Sequence, residues 1–379
     1  MRKTFKYRLY PTATQRELLR MQLSEACRLY NAALQERRDA YRTHGESLNY
    51  YTQANQLKEI RDAGDLSLPN YHCAQDVLKR LDKAFQAFFR RIKHGEKPGF
   101  PRFKSSRRYD SITFPSHADG NRLLKPEQRK THLRVQGVGE IKILLHRPII
   151  GEIKTVSVKR EGKQWYACFS VECAKKPLPE LDNAIGIDVG LESFAVLSNG
   201  DAIPNPRWYR TAQKRLRRAQ RKVARRVNKR SHRRRKAILA LQNIHSRIQR
   251  LRNEFQHKQS FKLVQHFGII AIEDLNVKGL AGGMLSKSVH DVGWASFFSK
   301  IAYKAESAGR TLIKVNPSGT SQTCLCGATV RKLLSDREHV CIECGLVAPR
   351  DFVSAQVILQ RARISPSRQN VEAVSSCVS

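Results

Sequence analysis

The sequence is short of acid. Asp and Glu together number 33 against 70 Lys and Arg, a formal charge of +37 over 379 residues. Between Asp201 and Glu254 there is no acid at all. A compact fold with that excess repels itself unless a polyanion neutralises it, and a phosphate backbone has the matching length and charge density. Long apolar runs are missing too, and no stretch approaches transmembrane length. The start, Met1 to Tyr10, alternates like a strand and lacks the apolar centre of a signal peptide. An anionic membrane surface is the lesser rival to nucleic acid as that polyanion. The expectation is a cytoplasmic, nucleoid-associated protein that binds nucleic acid. Secretory disulfides are not expected, because Cys324, Cys326, Cys341 and Cys344 cluster while Cys27, Cys73, Cys168, Cys173 and Cys377 are scattered.

The length allows more than one core, and two or three domains is the expected organisation. Pro11 and Thr12 introduce a helix with Leu18, Leu19, Leu23, Cys27, Tyr30 and Leu34 at near-helical spacing, and Gly45 interrupts it. A second helical run from about Pro69 sets Val77, Leu78, Leu81, Ala84, Phe85, Phe88 and Phe89 on one side. Lys79, Arg80, Lys83, Arg90 and Arg91 fall on the other, as a basic exterior. From Ser111 to Val171 the pattern turns to short alternating strands with a hairpin turn at Glu161-Gly162-Lys163. This reads as a small barrel that the first strand joins across the helical insertion.

Pro177 and Pro179 form a linker. From Pro206 to Lys236 basic residues dominate, while Leu216, Val223 and Val227, then Ile238, Leu241, Ile244, Ile248, Leu251 and Phe255, keep an apolar seam. Two long helices packed as a hairpin explain both features. A run of one sign with no interleaved acid predicts phosphate contact, with Arg215, Arg218, Lys222, Arg226 and Arg230 as the contacts. Lys278 to Lys287 reads as a mobile loop. Asp291 to Gly309 reads as a helix with Trp294, Phe297, Phe298, Ile301 and Tyr303 mostly in the core. Thr311 to Asn316 reads as a strand, and the segment beyond Ile364 as a disordered tail.

Ala184 to Gly190 is an apolar run ending in one carboxylate, Asp188, and it resumes as Ser193 to Leu197. That reads as a buried strand, a tight turn and an antiparallel strand. A second run, Gly268 to Leu275, ends in Glu273, and Asp351 opens a helical stretch. Three distant carboxylates could thus converge beside one sheet. Phosphodiester hydrolysis needs an activated water and a stabilised leaving oxygen. Two Mg2+ ions about 4 Å apart supply both, and oxygen ligands hold them. Asp188 is assigned as the bridging ligand, with Glu273 and Asp351 as the outer ligands, one per ion. Each acid alone would read as a solvated or capping group, Asp351 above all. Two acids ending apolar strands in an acid-poor chain shift the balance. Asp274 points to the opposite face of its strand.

Cys324 and Cys326, then Cys341 and Cys344, form two knuckles, each followed by Gly and separated by fourteen residues. Four thiolates closing a tetrahedral Zn2+ site would fold a segment too small to fold alone. The first knuckle is one residue short of the usual spacing. His339 in place of one sulfur, or a metal-free thiol loop, remain alternatives at this point.

Jointly these segments resemble the TnpB (OrfB) proteins of bacterial transposons, RNA-guided DNA nucleases related to the type V CRISPR effectors. The resemblance is carried by Gly186-Ile187-Asp188-Val189-Gly190, by Ile272-Glu273-Asp274-Leu275, by Val315 to Cys324, and by Cys344-Gly345-Leu346 leading to Arg350-Asp351. It implies an α/β multidomain chain with a RuvC-like, RNase H-type nuclease core at 181–320 and 346–364. It implies a zinc ribbon at 321–345 and a tail at 365–379. It also implies a β-barrel of the oligonucleotide-binding type at 1–10 and 97–180, carrying an inserted helical recognition domain at 11–96.

The same resemblance implies that Asp188, Glu273 and Asp351 are the catalytic triad. The implied partners are a guide RNA from the transposon end and double-stranded target DNA beside a short flanking motif, which Tyr50 and Gln75 would contact. Two positions depart from the family pattern, the short first knuckle and Ser354 in place of an Asn after Arg350-Asp351. They leave an RNA-guided DNA-binding protein without nuclease activity as the alternative. A DNA transposase is the remaining one.

Overall fold

The structure, a computed structural model, describes residues 1–228, 231–276, 279, 286–333 and 336–364. The loop expected at 278–287 falls mostly outside these residues, and the tail from 365 wholly so. The chain divides into two compact units, the first ending at Ala174 and the second starting at Lys175. Among the described residues, no helix is long and apolar enough to cross a membrane.

In the first unit β1 (Arg2–Tyr10) alternates, with Tyr7 and Leu9 turned into the core. It pairs antiparallel with β7 (Gln164–Glu172) on one side and β5 (Gly139–Leu144) on the other. The remaining strands are β2 (Ser111–Phe114), β3 (Asn121–Leu123), β4 (Lys130–Val135) and β6 (Glu152–Glu161). The sheet order is β2-β6-β7-β1-β5-β4-β3, a nearly closed barrel with the first strand in its centre. Ile112, Phe114, Ile141, Ile143, Val156, Val158, Phe169 and Val171 fill it, every second residue of each strand. Strand β3, three residues long, is too short for a period of two to show in the sequence.

Four helices are inserted between β1 and β2: α1 (Ala13–His44), α2 (Tyr50–Asn55), α3 (Leu57–Asp62) and α4 (Tyr71–Lys93). Thr12 and Gln15 start α1 as a reciprocal cap, each side chain accepting from the other's backbone N–H at 3.2 and 3.0 Å. Gly45 ends α1 at φ 69°. The expected basic exterior of α4 needs correction at Arg80. Its guanidinium donates to Asp76 Oδ2 at 2.7 Å, to the Ser111 carbonyl at 2.9 Å and to Thr113 Oγ1 at 2.7 Å, tying α4 to β2. The expected apolar face is not closed either, since Phe85 and Phe88 are half-buried and Phe89 is exposed.

The second unit is built on β8 (Ala184–Asp188), β9 (Ser193–Leu197), β10 (Ala202–Pro204), β11 (Ile269–Glu273) and β12 (Thr311–Val315), in the order β10-β9-β8-β11-β12. Strands β8, β11 and β12 are parallel, while β9 and β10 run antiparallel. Helices α5 (Trp208–Ala224) and α6 (His232–His266) pack as the expected hairpin, with Leu216 and Ile248 buried, but Val227, past the end of α5, is 83 % exposed rather than part of the seam. On one sheet face Ile185, Ile187, Ile270 and Ile272 join Leu263 and Val264 of α6 in the core. Phe297 and Ile301 of α8 (Trp294–Ala308) complete that layer.

Between α6 and α8 lies α7 (Ser286–Val292), so the expected single helix from Asp291 is two, broken at Gly293 with φ 69°. Tyr303 is exposed at 36 % rather than in the core. The other sheet face is covered by α9 (Arg350–Ile364), whose Ile358 and Ala362 meet Ala271 and Val315. Burial on both faces explains why β8 and β11 read as continuous apolar runs rather than alternating ones. A small antiparallel pair, β13 (Glu338–Val340) and β14 (Val347–Pro349), precedes α9.

Candidate functional site

Parallel pairing sets Ile269 opposite Ala184 and continues in register to Ile272 opposite Ile187. One step further, Asp188 and Glu273 end their strands side by side, at the roughly 4.8 Å spacing of neighbouring strands. Asp188 follows Gly186 by two residues and Glu273 follows Ala271 by two, so both point to the face covered by α9. Helix α9 lies unusually close there. A Cβ at Gly186 would stand 2.1 Å from the Ala355 carbonyl and 2.9 Å from the Leu359 nitrogen, which only glycine avoids. That approach lowers the first turn of α9, with Asp351, toward the strand ends. Asp351 Oδ2 lies 4.0 Å from where a Cβ on Gly190 would stand.

The electrostatics carry the mark of that convergence. Asp188 is half-buried, and burial, then the charges of Glu273 and Asp351, hold its pKa well above the usual carboxylate range. Arg350 and the Val189 backbone N–H oppose this. Glu273 is 8 % exposed. Burial raises its pKa, against a hydrogen bond donated by Thr320 and the charge of Arg361. Carboxylates that repel one another inside a fold are relieved by a hard divalent cation, and this donor set, all oxygen, fits Mg2+. Among the described residues the group of His, Cys, Asp or Glu close enough together to hold one ion is the four cysteines, and the three carboxylates do not form such a group.

The cysteine quartet includes both sulfurs of the short first knuckle. Cys324 Sγ lies 3.6 Å from Cys344 Sγ, and Cys326 Sγ lies 3.8 Å from Cys341 Sγ. A tetrahedral ion with Zn–S bonds of about 2.3 Å requires sulfurs about 3.8 Å apart, so the quartet could hold a metal such as zinc. Gly327 and Gly345 follow the knuckles at φ 92° and 72°. The Cys344 backbone N–H, before smaller effects, brings the Cys341 thiol down to about 7, while burial pushes Cys324 up. His339 is fully buried, but its Nδ1 meets Lys332 Nζ, and the four sulfurs form the cluster without it.

The residues expected to meet nucleic acid are spread over both units. Arg215, Arg218 and Lys222 are exposed along α5, whose buried side is Leu216 and Ala219. Arg226 is half-buried past the end of α5, and Arg230 lies outside the described residues. Asp291 secures the start of α5. Its two oxygens accept the Tyr209 backbone N–H at 3.0 and 3.1 Å, and Oδ1 also accepts from Arg252 at 2.9 Å.

In the first unit Tyr50 opens α2 and Gln75 is half-buried on α4. Tyr50 lines a cavity of about 1020 Å³ with Arg38, Arg42, Phe88, Phe89 and Phe100. Sequence reasoning overlooked Thr320 and Arg361, which contact or bias Glu273. Thr320 sat inside the quoted Val315 to Cys324 segment, but nothing in its type announces a carboxylate partner.

The family model for OrfB of the IS605 type, described as "Probable transposase", matches residues 158–283. A Cas12f1-like TNB domain matches residues 294–358. A helix-turn-helix domain model matches residues 1–46, where the structure has a strand and one unbroken helix. Among solved structures, a Cas12f1–sgRNA–target DNA complex has a similar fold, with TM-score 0.64 and 16 % identity over 94 % of this chain and 98 % of that one. A "Putative RNA-guided DNA endonuclease InsQ" from Escherichia coli is 28 % identical, covering 94 % of this chain and 91 % of the relative. A "Putative RNA-guided DNA endonuclease" from Streptomyces pristinaespiralis is 32 % identical over 369 residues, 95 % of this chain and 89 % of the relative. With motifs and near full-length similarity in agreement, the chain belongs to the TnpB (OrfB) family.

Proposed function

We propose that the protein is an RNA-guided, Mg2+-dependent endonuclease that cuts double-stranded DNA beside a short flanking motif with one RuvC-like site. The observation that carries this reading is that Asp188 and Glu273 end adjacent parallel strands, one residue past the Ile187–Ile272 pair, and that the charges of Glu273 and Asp351 both act on Asp188. Bound at this site, two Mg2+ ions would supply an activated water and stabilise the leaving oxygen. Asp188, central among the acids, would bridge them, while Glu273 and Asp351 each hold one. Glu273, 8 % exposed, would hold its ion largely shielded from bulk water. Arg350, whose charge already acts on Asp188, would offset part of the negative charge of an incoming phosphate.

Guide RNA from a transposon end would read the target by base pairing, so the protein needs only to hold backbone and read the flanking motif. Arg215, Arg218, Lys222, Arg226 and Arg230 would hold backbone. Tyr50 and Gln75 would meet the flanking motif. In this reading residues 1–10 and 97–180 form the nucleic-acid-binding barrel and 11–96 the recognition helices. The nuclease core spans 181–320 and 346–364, and 321–345 is the ribbon on one structural Zn2+. The protein would act in the cytoplasm, at the nucleoid.

The test uses the RNA-loaded protein, a matched plasmid and Mg2+. Parent protein is expected to linearise the plasmid, and Asp188→Ala to lose cleavage at least a thousand-fold while binding guide and target as before. Cutting by the variant would remove the triad from the reading. Target binding by the parent protein without nicking would make it an RNA-guided DNA-binding protein, and joined donor and target ends would make it a transposase.

A further inference from the structure

A buried carboxylate can act as a metal ligand only in the rotamer that aims its oxygens at the ion, so what touches the Glu273 carboxylate matters. Its hydrogen-bond partner is Thr320, whose hydroxyl donates to Oε1. Thr320 is itself 4 % exposed. The same hydroxyl lies 3.0 Å from the Pro317 carbonyl. With one proton to give, it favours the charged acceptor.

Thr320 belongs to residues 316–323, which form no regular helix or ladder strand and connect β12 to the first cysteine knuckle. Backbone turns, such as Gln322 N–H to the Gly319 carbonyl at 3.0 Å, and side chains together hold that segment. Arg361, on the last turn of α9, donates from Nη1 to the Asn316 carbonyl at 3.0 Å and the Ser318 carbonyl at 2.7 Å. Its Nη2 donates to Thr323 Oγ1 at 3.2 Å. Thr323 in turn donates to the Gly319 carbonyl at 2.8 Å, and the Ser318 N–H to Asn316 Oδ1 at 2.9 Å. Cys324, the next residue, is anchored in the quartet. One guanidinium thus grips both ends of a short loop whose middle residue touches the buried acid.

We propose that Thr320 is a positioning residue that orients the Glu273 carboxylate for metal, and that Arg361 holds the loop on which Thr320 depends. The inference rests on the nuclease reading for the role of Glu273. Partners behind a metal ligand change metal affinity by about ten- to a hundred-fold when removed. Thr320→Val keeps the volume and removes the donor. Thr320→Ser keeps the donor.

Two measurements are paired. Mn2+ bound by the RNA-free full chain is followed by electron paramagnetic resonance, with Asp188→Ala as the background. Single-turnover cleavage by the RNA-loaded protein is followed against Mg2+ concentration. Thr320→Val is expected to weaken Mn2+ binding and raise the Mg2+ requirement about ten-fold, leaving target-DNA affinity unchanged. Thr320→Ser restores both to within about two-fold of the parent. Arg361→Gln moves both in the direction of Thr320→Val.

Unchanged Mn2+ affinity in Thr320→Val, or Thr320→Ser as defective as Thr320→Val, overturns the role of Thr320. Unchanged Mn2+ affinity in Arg361→Gln overturns the clamp. A loss of target-DNA affinity in Thr320→Val would mean lost fold, and Arg361→Gln with Thr320→Ser then decides. If the parent protein cuts no matched DNA, the nuclease reading fails, and the Mn2+ comparison still judges the positioning.

Discussion

At the scale of single residues, two positions have consequences that can be weighed. Gly186 is where strand meets helix, and its missing side chain is what lets α9 approach. Gly186→Ala forces backbone against backbone, with no flexible side-chain end to move aside. Overpacking of this kind costs about 1–3 kcal/mol. The expected result is a lower denaturation midpoint in urea and loss of cleavage out of proportion to it, because Asp351 is displaced with its helix. Asp188 makes a prediction about pH. Its pKa is raised in the fold, so the folded chain holds this proton more tightly than the unfolded chain, and stability falls as pH rises through the folded pKa. Asp188→Asn removes that loss. In Mg2+-free buffer the variant is expected to melt higher than the parent at neutral and alkaline pH. The difference should close as pH falls below the ordinary carboxylate range. A difference that does not change with pH would contradict the repulsion described at this site.

At the scale of elements, the five-stranded sheet and α9 make the site together, and the cysteine segment sits between them in the chain. The quartet spans residues 324–344, and the described β structure in and beside that span is the short pair β13 and β14 and the isolated bridge between Thr323 and Thr329. So little backbone pairing cannot order such a segment unaided, and a metal would supply the missing stability. One Zn2+ per chain is expected by elemental analysis, and Cys326→Ser should lower it well below one. The same variant should expose the segment to proteolysis and weaken cleavage, since Arg350 and Asp351 follow directly. Full zinc retention by Cys326→Ser would remove Cys326 from the ligand set. The C-x-C spacing alone left that question open; the meeting of all four sulfurs depends on how the first knuckle is folded back on the second.

At the scale of the whole molecule, the charge of +37 is the dominant property. Each phosphate contact releases condensed counterion, so affinity should fall steeply with salt. Replacing Arg215, Arg218 and Lys222 together by Gln is expected to weaken binding evenly across guide sequences. It should also lower the slope of log affinity against log salt by about two. An unchanged slope would mean that α5 does not touch the backbone. Much of this was legible in the chain. The strands β8 and β11, the helix hairpin and the strand-rich 111–171 segment follow from local pattern, and the expectation of a polyanion follows from bulk charge.

The amino-acid order by itself determined which residues could do chemistry, because residue type, apolar periodicity and charge are properties of neighbours along the chain. Only the tertiary structure decided which of them meet. The parallel register of β8 and β11, the close seating of α9 on Gly186, the break at Gly293 and the reach of Arg361 to residues 316–323 all join positions far apart in sequence. Such contacts depend on shape and packing in three dimensions, which no local pattern records. Thr320 and Arg361 were therefore invisible until the fold brought them to Glu273, whereas Asp188, Glu273 and Asp351 could be nominated from their places at the ends of apolar runs.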